Sequence, residues 1–140
     1  MITSGQLRSE QMPTTLEPQP TILVVDDEPD VRELVKDILE SGGYRVATAE
    51  NGRQARDYAQ SQKFKLLIID LIMPEEEGIE TIVTMRQERP ALRILAISGS
   101  SGPYLQVARF LGANESLIKP FSCSELLEKV ELLLAFGANA

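Results

Sequence analysis

The sequence predicts an α/β protein, a doubly wound parallel sheet of five strands with helices on both faces. Three observations carry this reading. Strand-like and helix-like segments alternate five times along the chain. Three of the strand segments, Ile22-Leu23-Val24-Val25, Leu66-Leu67-Ile68-Ile69 and Ile94-Leu95-Ala96-Ile97, are apolar at every position. A strand reads that way only when both of its faces are buried, the situation of a parallel sheet between two helical layers. Finally, glycine or proline punctuates the ends of the helical segments.

The elements follow in order. Residues 1–20 are polar, rich in Ser, Thr, Gln and Pro, and without apolar period, so a flexible tail is expected there. A single domain over residues 21–137 and a short C-terminal tail over 138–140 complete the organisation. After the first apolar strand, Val31, Leu34, Val35, Ile38 and Leu39 recur at helical spacing until Gly42-Gly43. Tyr44 to Ala49 alternates as a strand, and Arg53 to Gln62 reads as a helix with Ala55 and Ala59 inward. Beyond the second apolar run, Ile79, Ile82 and Val83 mark a helix that Pro90 closes. The third apolar run leads to a helix with Tyr104, Val107, Ala108 and Leu111 on one stripe, ending at Gly112. A short strand, Ser116 to Ile118, precedes the last helix. Ser122 and Glu125 form a capping box there, and Leu126, Leu127, Val130, Leu133 and Leu134 form its inward stripe.

Composition narrows the function classes. The 140 residues support one domain, with enough surface burial for a core without covalent staples. The single cysteine, Cys123, excludes an internal disulfide, and the absence of histidine excludes histidine-based metal sites, triads and general bases. A net charge of −7 disfavours nucleic acid or an anionic membrane as a direct partner. The longest apolar runs fall far short of the roughly 20 residues that span a bilayer. With no apolar leader following a basic start, a reduced, cytoplasmic setting is expected.

In open α/β sheets ligands bind outside the carboxyl ends of the strands. The polar residues at those ends are Asp26, Asp27 and Glu28, then Asp70, then Ser98, then Lys119 before Pro120. Two carboxylates about 4 Å apart repel by about 4 kcal/mol at an effective dielectric near 20. One ammonium is too little for three such acids, and a divalent cation with oxygen ligands, Mg²⁺ or Mn²⁺, balances them. A metal, a lysine, a hydroxyl and an exposed carboxylate together suit phosphoryl transfer, in which positioning and electrostatics do most of the chemistry. Asp70, at the end of a rigid buried strand, is the better nucleophile; the adjacent Asp26 and Asp27 are suited to share a metal.

Four segments, Val24-Val25-Asp26-Asp27-Glu28, Asp70-Leu71-Ile72-Met73-Pro74 with Gly78, Ile97-Ser98-Gly99 and Lys119-Pro120-Phe121, resemble the receiver domain of bacterial two-component response regulators, the CheY-like family. The resemblance covers about Thr21 to Phe136 and implies the flavodoxin-like (βα)5 fold with strand order 2-1-3-4-5. It implies that Asp70 is the phosphoacceptor, taking a phosphoryl group from a phosphohistidine of a sensor histidine kinase or histidine phosphotransfer protein. It further implies Mg²⁺ held by Asp27 directly, by Asp26 largely through water, by Asp70 and by the backbone carbonyl of Ile72. Ser98 resembles the switch hydroxyl, Lys119 the lysine that pairs with the phosphoryl group, and the Lys119-Pro120 bond is expected to be cis. Such a module is a signalling receiver rather than an enzyme in the usual sense, either free-standing or part of a longer protein. Two positions depart from the family pattern: Ser116 stands where an aromatic is common, and Ile72 where polar residues are frequent.

Other features have plainer readings. Glu75-Glu76-Glu77 reads as a solvated acidic loop, Ser98-Gly99-Ser100-Ser101-Gly102 as a strand-to-helix connection, and Cys123 as small core filler. The outward members of Leu132 to Phe136 offer a patch for a homodimer or a downstream partner. Two competing functions are an aspartyl-phosphate phosphatase of the haloacid dehalogenase type and a pseudo-receiver acting by contact alone. The first lacks its second aspartate, because Ile72 occupies that position.

Overall fold

The computed structural model describes residues 21–71, 77–99 and 103–139; the expected tail at 1–20 lies outside them. The elements are β1 (Ile22–Val25), α1 (Pro29–Ser41), β2 (Val46–Ala49), α2 (Gly52–Ser61) and β3 (Leu66–Asp70). They continue with α3 (Glu77–Glu88), β4 (Arg93–Ser98), α4 (Pro103–Leu111), β5 (Glu115–Ile118) and α5 (Cys123–Asn139). All strand pairs are parallel, in the order β2-β1-β3-β4-β5, which is the flavodoxin-like arrangement.

The two-sided burial that the apolar runs required is observed directly. Alternate residues of one strand point to opposite faces of a sheet. Leu23, Val25, Leu67, Ile69, Ile94 and Ala96 form one core with residues of α2, α3 and α4. Ile22, Val24, Leu66, Ile68, Leu95 and Ile97 form a second core with α1 and α5. Gly43, at φ 93°, takes the left-handed conformation that ends α1. The capping box at the start of α5 is formed: the Glu125 amide donates to Ser122 Oγ (3.1 Å) and the Ser122 amide to Glu125 Oε1 (2.8 Å).

Three local expectations are corrected. Leu34 is 58% exposed, because it sits about 100° around the helix from the buried Val35. Val107 is likewise outside the inward stripe of α4, where Leu105 and Ala108 are buried. Cys123, the first residue of α5, is exposed rather than core filler, since the buried face begins only at Leu126. Helix α5 runs to Asn139. Among the described residues no helix is long and apolar enough to cross a membrane.

The end of the sheet opposite the acidic residues is held by Arg86. Its guanidinium donates to the carbonyls of Gly112 (Nη2, 2.7 Å), Leu92 (Nη1, 2.6 Å) and Pro90 (Nη1, 2.9 Å), and to Asn114 Oδ1 (2.8 Å). Asn114 Oδ1 in turn accepts from the Ile94 amide at 2.8 Å. One planar fork thus serves the connections into β4 and β5. Arg86→Met keeps the apolar stem and strands these acceptors, so a loss of about 3 kcal/mol in urea unfolding is expected. A loss below about 1 kcal/mol would show that water satisfies them instead.

Candidate functional site

Strand parity explains which acidic side chains meet. In the register of β1 and β3, Val25 pairs with Ile69, so the next step along both strands sets Asp26 beside Asp70. Asp26 follows Val24 by two residues, Asp70 follows Ile68 by two, and Lys119 follows Leu117 by two. All three preceding residues belong to the core under α1 and α5, so the three polar side chains emerge on that same side of the sheet. Asp26 and Asp70 are buried, 4% and 3% exposed.

The geometry is tight. Lys119 Nζ donates to Asp70 Oδ2 at 2.7 Å and lies 3.9 Å from Asp26 Oδ2. The turn after β1 is fixed by the Glu28 amide, which donates to Asp26 Oδ1 (2.9 Å), and by Arg32 Nη1, which donates to the Asp26 carbonyl (2.8 Å). That turn brings Glu28 back, so that one carboxylate oxygen each from Asp26, Glu28 and Asp70 lie within 4.8 Å of one another.

The electrostatics follow. Burial pushes the Asp26 carboxyl up to about 6; the Asp70 charge adds to that, while the Glu28 amide and the Lys119 ammonium oppose it. Burial works against the Lys119 ammonium, but its hydrogen bond to Asp70 and the nearby acids outweigh this and raise its pKa. Three acids and one ammonium leave a surplus of negative charge at an all-oxygen site. The three oxygens lie within 4.8 Å of one another, and all are hard carboxylate donors of the kind Mg²⁺ takes. The donor set fits that metal.

Of the residues expected here, Asp26, Asp70 and Lys119 are brought together. Asp27 is exposed, and Glu28 joins Asp26 and Asp70 in the oxygen cluster. Ser98 is buried at the end of β4, one residue past Ile97, the register partner of Asp70; its carbonyl accepts from the Lys119 amide at 2.9 Å. The Lys119-Pro120 bond is cis. Ile72, and with it the expected carbonyl ligand, lies outside the described residues. Glu28 was legible as part of the acidic run, but only the turn geometry shows that it reaches the cluster. A hollow of about 330 Å³ at the other end of the sheet, lined by Phe64, Lys65, Arg89, Pro90, Ala91 and Leu92, presents cations and no acid to a metal.

Known proteins share this fold. The family model described as response regulator receiver domain matches residues 22–131. The alkaline phosphatase synthesis transcriptional regulatory protein PhoP of Bacillus subtilis is 35% identical over 114 residues, covering 81% of this chain and 48% of that protein. The transcriptional regulatory protein CpxR of Escherichia coli K12 is 34% identical over 113 residues, with 81% and 48% covered. The chain therefore spans about half the length of these relatives. Among solved structures, a CheY-like receiver domain protein of Methanospirillum hungatei superposes with a TM-score of 0.81 at 27% identity, covering 87% of this chain and 98% of that one. The response regulator TrrA of Thermotoga maritima, crystallised in complex with Mg²⁺ and BeF, has a TM-score of 0.74 at 37% identity, with 81% and 97% covered.

Proposed function

The chain belongs to the response regulator receiver domain family, and on that premise we propose that it accepts a phosphoryl group on Asp70 from the phosphohistidine of a sensor kinase or phosphotransfer protein. The observation that carries this reading is the contact of Asp70 Oδ2 with Lys119 Nζ at 2.7 Å, beside the carboxylates of Asp26 and Glu28. In the transfer, an Asp70 carboxylate oxygen attacks phosphorus, the nitrogen–phosphorus bond of the donor breaks, and the imidazole leaves. Asp26, Glu28 and Asp70 would hold Mg²⁺, with Asp27 and the Ile72 carbonyl completing the expected set. An ion held there would supply positive charge to the phosphoryl oxygens. Lys119 supplies the fixed positive charge, and Ser98 supplies a hydroxyl for a phosphoryl oxygen.

The new acyl phosphate adds about −1.5 to −2 charges next to Lys119 and Ser98. Drawing those two groups toward it would shift the connection after β4 and the face of α4, β5 and α5. That face exposes Val107, Phe110, Ile118 and Leu132, and a downstream partner or a second copy would read it. Ser116, which pairs with Ala96 in the register of β4 and β5, offers no ring to couple to Ser98. We place the module in the cytoplasm, as a switch without direct nucleic-acid contact.

The test is incubation with Mg²⁺ and acetyl phosphate, read by intact mass and peptide mapping. One phosphoryl group on the peptide containing Asp70, absent when EDTA replaces Mg²⁺, is the expected result. Continuous release of phosphate without an adduct would indicate a phosphatase of the haloacid dehalogenase type. No reaction would indicate a pseudo-receiver.

A further inference from the structure

We propose that Glu77 is a positioning residue for the Asp70 carboxylate, a strut that fixes the end of β3 against the start of α2; this rests on Asp70 being the phosphoacceptor. Glu77 belongs to the acidic run Glu75-Glu76-Glu77, whose first two members lie outside the described residues. Glu77 itself is half-buried and opens α3. Its Oε2 accepts from the Gly52 amide, the first residue of α2, at 2.9 Å. Asn51 Oδ1 takes the Gln54 amide at 2.9 Å, so α2 already has an ordinary cap of its own. The Glu77 contact is therefore a second anchor, and it comes from a residue 25 positions away.

The anchor sits close to the nucleophile's backbone. A Cβ on Gly78, the neighbour of Glu77, would stand 2.9 Å from the Asp70 carbonyl oxygen and 3.0 Å from Leu71 Cα. On the other side, the Leu71 amide donates to the Ile97 carbonyl of β4 at 2.8 Å. The peptide joining Asp70 to Leu71 is thus held between β4 and the first turn of α3. That first turn is braced twice: Thr81 Oγ1 donates to the Glu77 carbonyl at 2.8 Å, and the Glu77 carboxylate grips α2. The junction has no spare room, because a Cβ on Gly52 would stand 2.0 Å from Thr81 Oγ1 and 3.1 Å from Glu77 Cγ. Releasing Glu77 frees α3 to slide on α2, and Gly78 passes that slide to the backbone from which the Asp70 carboxylate projects. A misplacement of 1 Å at a reacting group can cost on the order of 100-fold, so a partial slide has a measurable effect.

The test compares E77A, E77Q and a core variant of the opposite layer, V130A, chosen to lower stability without touching this junction. The initial rate of phosphoryl uptake from acetyl phosphate with Mg²⁺ is measured at temperatures where each protein is fully folded. E77A is expected to be about tenfold slower than the parent, and E77Q within about threefold, because the glutamine oxygen still accepts from Gly52. V130A should match the parent. In amide ¹⁵N NMR spectra the Leu71 signal should move in E77A and return toward its parent position in E77Q. Equal slowing in E77A and V130A, or a Leu71 signal that ignores the loss of Glu77, would overturn the strut. If the parent protein takes up no phosphoryl group, the function of Asp70 falls, and the Leu71 signal alone decides whether Glu77 positions β3.

Discussion

Lys119→Met is expected to slow phosphoryl uptake at Asp70 by about 100- to 1,000-fold, the range for removing one preorganised charge from developing transition-state charge. The methionine keeps most of the apolar stem, so the change isolates the ammonium. That group lies 2.7 Å from Asp70 Oδ2 and 3.9 Å from Asp26 Oδ2, with its side chain 25% exposed and both carboxylates nearly enclosed. Without it, Asp26 and Asp70 lose the ammonium that lies against both. A proton on Asp26 is then held more tightly, because the Lys119 charge is one of the influences keeping the Asp26 pKa down. Stability should then depend on pH in a definite sense. Near pH 5 Asp26 is largely protonated and the variant should unfold close to the parent; near pH 8 it should be about 2 kcal/mol weaker, as the buried carboxylates lose their partner. Lys119 itself does not set that window. Its raised pKa keeps it charged across the neutral range, and its own contribution fades only as pH climbs past the ordinary lysine value of 10.5. Uptake rates by intact mass and urea midpoints at the two pH values check both parts. Uptake within about tenfold of the parent would show that the metal alone carries the charge stabilisation.

What the sequence made legible follows from how strongly each feature is constrained. A strand covered on both faces has no polar option, so Ile22 to Val25, Leu66 to Ile69 and Ile94 to Ile97 announced themselves, and the parallel sheet with them. Helix faces are less constrained, since one exposed leucine is tolerated on any surface. Leu34 and Val107 looked inward by spacing and are not. In the site, Asp26, Asp70 and Lys119 could be brought to one sheet edge from residue order alone, because each follows a strand directly. Glu28 and Glu77 stayed hidden for a different reason. Each reaches its partner through a turn or a helix start whose path residue types do not specify, and acidic runs are most often just solvated. Glu77 was read as loop because nothing local reveals a contact with Gly52, 25 residues away.

Enclosing the acidic cluster costs stability, and Asp26→Asn exposes that cost. Burial raises the Asp26 carboxyl from 3.8 to about 6, so the folded protein binds this proton more tightly than the unfolded chain does. The contribution of the protonated group to stability is fully present below about pH 4, declines between about pH 4 and 6, and is gone above that. A shift of that size corresponds to about 3 kcal/mol between the two ends of the window. Asparagine does not ionise; its Oδ1 can still accept from the Glu28 amide, and its Nδ2 can donate to Asp70. The variant should therefore unfold like the parent at about pH 4 and be about 2 kcal/mol more stable near pH 8. Metal response should move the other way. The parent should gain stability from Mg²⁺ near pH 8 and little near pH 4.5, where the cluster holds its proton, whereas Asp26→Asn should gain less at either pH. Urea unfolding across this range, with Mg²⁺ or with EDTA, reads all of these differences. A parent whose stability rises from pH 4 to 7 while the variant's does the same would place the ionisation of Asp26 below this window. The acidic cluster would then be a cheap surface feature and not a strained, functional one.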